Sequence, residues 1–208
     1  ERTPSPATLL PHPDQLTLPG MPQKKPPRNL LLNSQFTFDR FIVGQSNEFA
    51  YSASKNIALG DPCNYHSLLM LSNTGLGKTH LSQAIGHTIL AANPQSRVFY
   101  MTAEDFTNEM IASLRARRIE AFKSRYRRSC DVLLLEEVHF LGGKEKIQTE
   151  LGYTLDALAQ DRKKIIFTSS LPPKDIPRMS KELSSRLTSG LVTTIGGPDY
   201  HTRVQILM

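Results

Sequence analysis

Short apolar runs alternate along the chain with longer stretches whose hydrophobic residues recur every three or four positions. The runs Leu68–Leu71, Arg97–Met101, Val132–Leu135, Ile165–Thr168 and Leu191–Ile195 predict five strands. Helical spacing follows from about Gly77 to Ala91, with Leu81, Ala84, Ile85 and Ile89 on one face and Asn93-Pro94 as the stop. Phe106, Met110 and Leu114 form a second apolar stripe, entered through Thr102 and Asp105 as a capping pair. A third helix is expected over about Lys144–Ala159, where Ile147, Leu151, Leu155 and Leu158 repeat. Strands that alternate with helices, each strand short and continuously apolar, make an α/β fold with a parallel sheet covered on both faces.

Composition narrows the class. The 208 residues are 39% apolar and 21% charged, enough for one α/β domain with a substantial core. No run of eighteen apolar residues and no signal-type segment is present, so the expected location is cytoplasmic. The two cysteines, Cys63 and Cys130, are too few for a disulfide framework or a metal knuckle, and Cys130 reads as a buried thiol. The net charge of +6 fits a nucleic-acid partner without requiring one.

Residues 1–28 are dense in proline and carry no strand or helix period. Each proline removes a backbone donor and biases its predecessor toward extended backbone, so this segment is expected to be a disordered linker; a Pro-rich ligand for a groove is the other option. The folded core is expected over 29–197. The final residues, 198–208, end in R-V-Q-I-L-M, a helix-like run that reads as a continuing element. A first residue that is Glu1 rather than Met fits a piece of a longer chain.

The chemistry concentrates after the first strand, in S-N-T-G-L-G-K-T-H (Ser72–His80). Gly75 and Gly77 permit backbone angles and close approach that a Cβ would obstruct, so that successive amides, with Leu76 between them, can face phosphate oxygens. Lys78 can reach the β and γ phosphates, Thr79 can offer its hydroxyl to Mg2+, and His80 continues the motif into the helix. Ser72 stands where a strict phosphate loop has its first glycine, at an entrance where ordinary backbone angles suffice. An ordinary glycine-rich turn is the alternative.

The second half of the site is D-V-L-L-L-E-E (Asp131–Glu137). Acidic residues at the end of a buried strand need a partner or a metal, and strand carboxyl ends are where ligands sit in open α/β sheets. Glu136 is assigned to Mg2+ through a water, and Glu137 to the water that attacks the γ-phosphate. Both could instead simply end a strand at the solvent edge. Thr168 and Ser169, after the fourth strand, could bond the γ-phosphate or that water, or could form a turn. The run Arg115–Arg128 carries seven basic residues against a lone Glu120; it could neutralise nucleic-acid phosphates or be the solvated face of a helix.

Several further segments, in one order, carry a family likeness: L-N-S-Q-F-T-F-D-R-F-I-V-G-Q-S-N (Leu32–Asn47), T-G-L-G-K-T-H (Thr74–His80), F-T-N-E-M-I (Phe106–Ile111), F-K-S-R-Y-R (Phe122–Arg127), L-G-G-K-E (Leu141–Glu145), P-P-K-D-I-P (Pro172–Pro177) and S-R-L-T-S-G-L (Ser185–Leu191). From Leu32 to Met208 the chain resembles the AAA+ core of the DnaA family of bacterial chromosomal replication initiators. The resemblance implies a P-loop NTPase fold of AAA+ type with a five-stranded parallel sheet, and a helical lid of which 198–208 is the start. It implies ATP and ADP as nucleotides, slow hydrolysis that is near background in an isolated core, and ATP-dependent homo-oligomers on origin DNA. It also places Phe41, Val43, Gly44 and Asn47 at the adenine. Arg186 matches the arginine finger given to a neighbour's γ-phosphate. Ile111 and Lys146 match positions that contact single-stranded DNA, with Arg115 and Arg118 beside them. Origin duplex would be recognised by a C-terminal helix-turn-helix domain outside this sequence, and other replication proteins are further candidate partners.

The chain departs from the family pattern at four places. Glu136 and Glu137 replace two aspartates, Ser72 replaces a glycine, Ser170-Leu171 replaces Asp-Arg, and Glu182 stands where arginine is common. The carboxylate change bears on hydrolysis rate, and the Leu171 and Glu182 changes bear on nucleotide sensing or subunit packing. A related regulator or loader, whose nucleotide organises protein contacts with little catalysis, is the alternative function.

Overall fold

The computed structural model of the chain describes residues 32–60 and 65–208. The Pro-rich linker, the expected start of the core at Asn29, and Cys63 lie outside the described residues. The five expected strands form, as β1 (Ser67–Leu71), β2 (Val98–Thr102), β3 (Val132–Glu136), β4 (Lys164–Ser169) and β5 (Leu191–Thr194). They pair in parallel in the order β2-β3-β4-β1-β5, which puts the ends of β1, β3 and β4 side by side at the centre of the sheet.

Alternation along each strand divides the core into two layers. Leu133 and Leu135 of β3, Leu69 of β1 and Ile165 and Phe167 of β4 face one layer. Helices α3 (Ala103–Arg115), α4 (Ile119–Arg128), α5 (Glu145–Gln160) and α6 (Lys181–Leu187) close that side through Phe106, Tyr126, Leu151 and Leu183. Val132, Leu134, Leu68, Met70 and Ile166 face the other layer, under α1 (Glu48–Leu59) and α2 (Lys78–Ala92). A last helix, α7 (Tyr200–Leu207), occupies the segment expected to begin a lid. Among the described residues no helix is long and apolar enough to cross a membrane.

Thr102 and Asp105 form the expected capping box at α3, each side chain accepting the other's backbone N–H. Such a cap contributes about 1 kcal/mol and fixes where the helix leaves β2. Cys130 precedes β3 as a fully buried free thiol, its pKa pushed up to about 12 by burial, so it is neutral at physiological pH.

Asp131 is the polar knot at the opposite, amino-terminal end of the sheet. Its carboxylate accepts from Arg97 Nε and Nη2 at 2.8 Å each and from Lys163 Nζ at 2.9 Å. Those bonds, the Arg97 guanidinium foremost, hold the Asp131 carboxyl far below its ordinary range. A lowered folded-state pKa stabilises the protein above the unfolded value and loses that contribution as pH falls. Asp131→Asn should therefore lower Tm by about 2–4 °C at neutral pH, corresponding to about 1 kcal/mol for a partly exposed network. Thermal melts should show this gap closing as the pH drops below the ordinary aspartate value of 3.8.

Candidate functional site

The loop after β1 is built as a cradle. Ser72 prolongs the ladder, its N–H donating to the Ser169 carbonyl at 3.2 Å, and it lies outside the set of residues with positive φ. The position therefore does not need the glycine that a strict motif would place there. Gly75 and Gly77 do need theirs, with φ of 84° and 98°. None of the amides from Asn73 to Gly77 has an acceptor among the described residues. A run of unanswered N–H groups at a helix entrance suits a polyphosphate.

Lys78 opens α2 and folds back over this loop. Its ammonium donates to the Ser72 carbonyl at 2.6 Å, the Asn73 carbonyl at 2.9 Å and Ser72 Oγ at 3.1 Å. Burial draws its pKa down, while the charges of Glu136 and Glu137 oppose that shift. Ser72 thus seats the lysine, a role that the motif alone does not reveal.

Glu136 ends β3 with 2% exposure, and its Oε2 accepts from Thr168 Oγ1 at 2.7 Å and Thr79 Oγ1 at 3.0 Å. Burial raises its pKa against these hydroxyl donors. The other oxygen, Oε1, is buried and makes no hydrogen bond of full geometry; the Ser82 hydroxyl of α2, equally unpaired, is the one further donor close enough to act on this carboxylate. An underbonded carboxylate oxygen beside a threonine hydroxyl, at the mouth of an amide cradle, fits a hydrated divalent cation. Glu137 follows in the left-handed region, at φ 58° and ψ 46°, a conformation that is costly for a residue with a side chain and concentrates at functional sites. Its N–H donates to Thr168 Oγ1 at 3.0 Å.

Thr168 and Ser169, expected at the γ-phosphate or the attacking water, are engaged elsewhere. Thr168 gives its only hydroxyl proton to Glu136 and accepts from Glu137, so it fixes the two acids relative to one another. Ser169 Oγ donates to the Leu171 carbonyl at 2.6 Å and accepts from the Leu171 N–H, closing the turn beyond β4. Both side chains are fully buried, and these bonds occupy their hydroxyl protons. His139 also ties the two strand ends, its Nδ1 accepting from Ser170 N–H at 3.4 Å.

The segment expected at the adenine lies over the loop and the start of α2. The Phe41 ring stacks on Tyr51 of α1 at 5.9 Å and meets the His80 ring edge-on at 5.2 Å. A Cβ on Gly77 would stand 2.8 Å from Phe41 Cε2, so that glycine also admits the ring. His80 sits between Phe36 and Phe41, with Nε2 bonded to the Thr37 carbonyl at 2.7 Å, and its imidazole anchors this segment rather than meeting a phosphate. The Asn47 side chain is likewise committed. Its Oδ1 accepts from Gly44 N–H at 2.9 Å and its Nδ2 donates to the Ile42 carbonyl at 3.1 Å. Asn47 therefore shapes the 42–47 loop from a buried position, and its amide is not offered to a base. Val43 is exposed, and Gly44 gives Thr202 of α7 room that any Cβ would fill. Tyr51, which backs the Phe41 ring, stands on α1, a helix whose buried face of small residues gives little hydrophobic period in the sequence.

Ile111, Arg115 and Arg118 are exposed on and just beyond α3, and Lys146 is exposed on the first turn of α5. The basic run behind them divides in two. Arg125 donates to Glu109, Arg127 to Glu150 and Lys123 to Glu120, so these three are tied into the fold. No carboxylate among the described residues pairs with Arg115, Arg117, Arg118 or Arg128.

Arg186 lies away from the cradle. It lines a cavity of about 600 Å³ with Asp156, Lys163, His66, Ser67 and Leu191, at the amino ends of β1, β4 and β5. The phosphate loop leaves the carboxyl end of β1, a strand of five residues, and so lies about 16 Å away along the sheet.

A parallel sheet with a phosphate loop after one central strand, a pair of acids at the end of another, and a hydroxyl on the strand between them defines a nucleotide-binding module of the AAA+ class. Residues 32–194 match the model of the bacterial DnaA ATPase domain. The chain is 47% identical over 196 residues to the chromosomal replication initiator protein DnaA of Desulfatibacillum aliphaticivorans, covering 94% of this chain and 43% of that one. The chain thus spans under half the length of the curated relative it matches. Domain III of the Thermotoga maritima initiation protein DnaA superposes with a TM-score of 0.81 at 38% identity, covering 84% of this chain and 72% of that one. A replication initiator DnaA bound to AMPPCP and single-stranded DNA superposes with a TM-score of 0.75 at 34% identity, covering 80% and 51%. The chain belongs to the bacterial DnaA ATPase-domain family.

Proposed function

We propose that this chain is the ATP-binding and slowly hydrolysing module of a chromosomal replication initiator, which assembles on origin DNA when ATP is bound and contacts single-stranded DNA. The observation that carries the reading is the joined site: free loop amides, Lys78, and the Thr79–Glu136–Thr168–Glu137 network at adjoining strand ends. The loop amides from Gly75 to Thr79 and the Lys78 ammonium would take the phosphates of ATP or ADP. Phe41, Val43 and the Gly44 backbone would border the adenine. Thr79 and Glu136 would hold Mg2+, which when bound neutralises phosphate charge. Glu137, turned out of the strand by its left-handed backbone, would accept the proton of the attacking water. Arg186, too far from its own cradle, would serve a neighbouring subunit's γ-phosphate.

The relative solved with AMPPCP and single-stranded DNA supports the same pair of ligands here. Exposed apolar Ile111, at 37%, with Arg115, Arg118 and Lys146 around it, offers a base contact among phosphate contacts. The test is fluorescence anisotropy of labelled poly-dT with the intact protein in ATP and in ADP. Binding should depend on ATP. Arg118→Ala or Lys146→Ala should weaken it and flatten the log–log salt dependence by about 0.7 per lost phosphate contact. Ile111→Ala should weaken binding with the salt slope unchanged, because an apolar contact releases no counterions. Arg125→Ala and Arg127→Ala should lower Tm instead, since their partners are Glu109 and Glu150. Parent-like binding by all three surface variants at every salt concentration would make this face merely solvated.

A further inference from the structure

The carboxylate that engages Arg186 comes from a different helix. Asp156 on α5 meets the guanidinium from α6 side-on, with Arg186 Nε donating to Oδ1 at 2.6 Å and Nη2 to Oδ2 at 2.8 Å. The pair stands at the surface, and nothing in the burial of either residue demands a partner there, since the side chains are 33% and 52% exposed. The guanidinium lies against Gly152, one turn earlier on α5, where an added Cβ would sit 3.6 Å from both Cζ and Nη1. Two-point contact with a planar fork fixes direction as well as distance. A guanidinium has five N–H groups, and a side-on carboxylate uses two of them. Of the three that remain, one on Nη1 and one on Nη2 lie parallel along the end-on edge, the pair that could bridge two oxygens of a second subunit's phosphate.

We propose that Asp156 is a positioning residue for the trans-acting Arg186, holding its guanidinium extended with the Nη1–Nη2 edge presented to the neighbouring subunit's γ-phosphate. The proposal rests on the reading of Arg186 as the residue supplied across the subunit interface. The physical reason for such a device is rotameric freedom. An unrestrained arginine at a surface must lose its rotamers when the interface forms, whereas one already clamped docks in its productive geometry. Glu182, one turn back on α6, is another carboxylate whose charge acts on this arginine, without a hydrogen bond to it.

The experiment compares Asp156→Ala, Asp156→Asn, Arg186→Ala and the Asp156→Ala/Arg186→Ala double variant in the intact protein. ATP turnover at saturation, ATP-dependent assembly by sedimentation, nucleotide Kd and Tm are measured for each. Arg186→Ala should lose assembly-dependent turnover. Asp156→Ala should lower it about tenfold with nucleotide Kd unchanged. Asp156→Asn, which keeps one acceptor for the fork, should fall between Asp156→Ala and the parent. The double variant should be no worse than Arg186→Ala alone, because one residue acts through the other. Parent-like turnover in Asp156→Ala beside a defective Arg186→Ala would overturn the proposal and leave the reading of Arg186 standing. Faster turnover in Asp156→Ala would also overturn it, since the carboxylate would then restrain the arginine. A parent-like Arg186→Ala would remove the reading and the proposal together.

Discussion

Replacing Lys78 with alanine is expected to raise the Kd for ATP at least about tenfold, the largest loss of affinity that one side chain of this site can cause. The ammonium is prepared for a polyanion. It is partly buried, its three protons rest on loop oxygens of Ser72 and Asn73, and the charges of Glu136 and Glu137 oppose the lowering of its pKa by burial. A phosphate that enters the cradle replaces neutral acceptors with anionic ones, which adds the attraction of opposite charges to bonds that the ammonium already strengthens. The variant also leaves two carbonyls and a hydroxyl of the loop without their donor. A Tm measured beside the calorimetric titrations therefore separates loss of a ligand contact from loss of loop order. Titration with ATP and ADP, each with and without Mg2+, gives the result directly. An unchanged ATP Kd in a folded Lys78→Ala protein would remove the lysine from the site.

The parts of this molecule legible in its sequence are those where one residue type has one physical use. Continuous apolar runs such as V-L-L-L could only be buried strands, and each expected strand forms within about a residue of its expected ends. Gly75 and Gly77 could be assigned because positive φ is a glycine's property. Helix α1 was less legible. Its buried face is Ala50, Ala53, Ser54, Ile57 and Ala58, small residues that give a weak hydrophobic period. Side chains with two possible uses were not legible at all. Thr168 and Asn47 carry groups that could meet a ligand, and the partners they hold in this fold lie on another strand or a few residues away, with no sign of them in the sequence. The basic run from Arg115 to Arg128 illustrates the same limit. Its division between structural and free arginines depends on Glu109 and Glu150, which lie on other helices.

The two acids at the end of β3 should separate under conservative substitution, and Glu137→Gln should show the larger effect on chemistry. The change keeps the size of the side chain, and it keeps the backbone bond from residue 137 to Thr168 that fixes the left-handed turn. Only the ability to accept a proton is lost. A positioned general base typically contributes at least about a hundredfold, so single-turnover hydrolysis in the assembled protein should fall by about that factor while ATP Kd stays near the parent value. Glu136→Gln acts differently, because Glu136 is the buried member and its Oε1 is the oxygen that makes no hydrogen bond of full geometry. The amide oxygen of glutamine can still accept from Thr79 and Thr168, so the strand end keeps its order. An NH2 group in the place of Oε1 cannot serve a cation, and the gain in ATP affinity that Mg2+ provides should be lost. Titrations with and without Mg2+ read the first role for Glu136, and single-turnover hydrolysis reads the second for Glu137. Equal losses of binding in both variants, with no separate effect on rate, would show that the acids share one role.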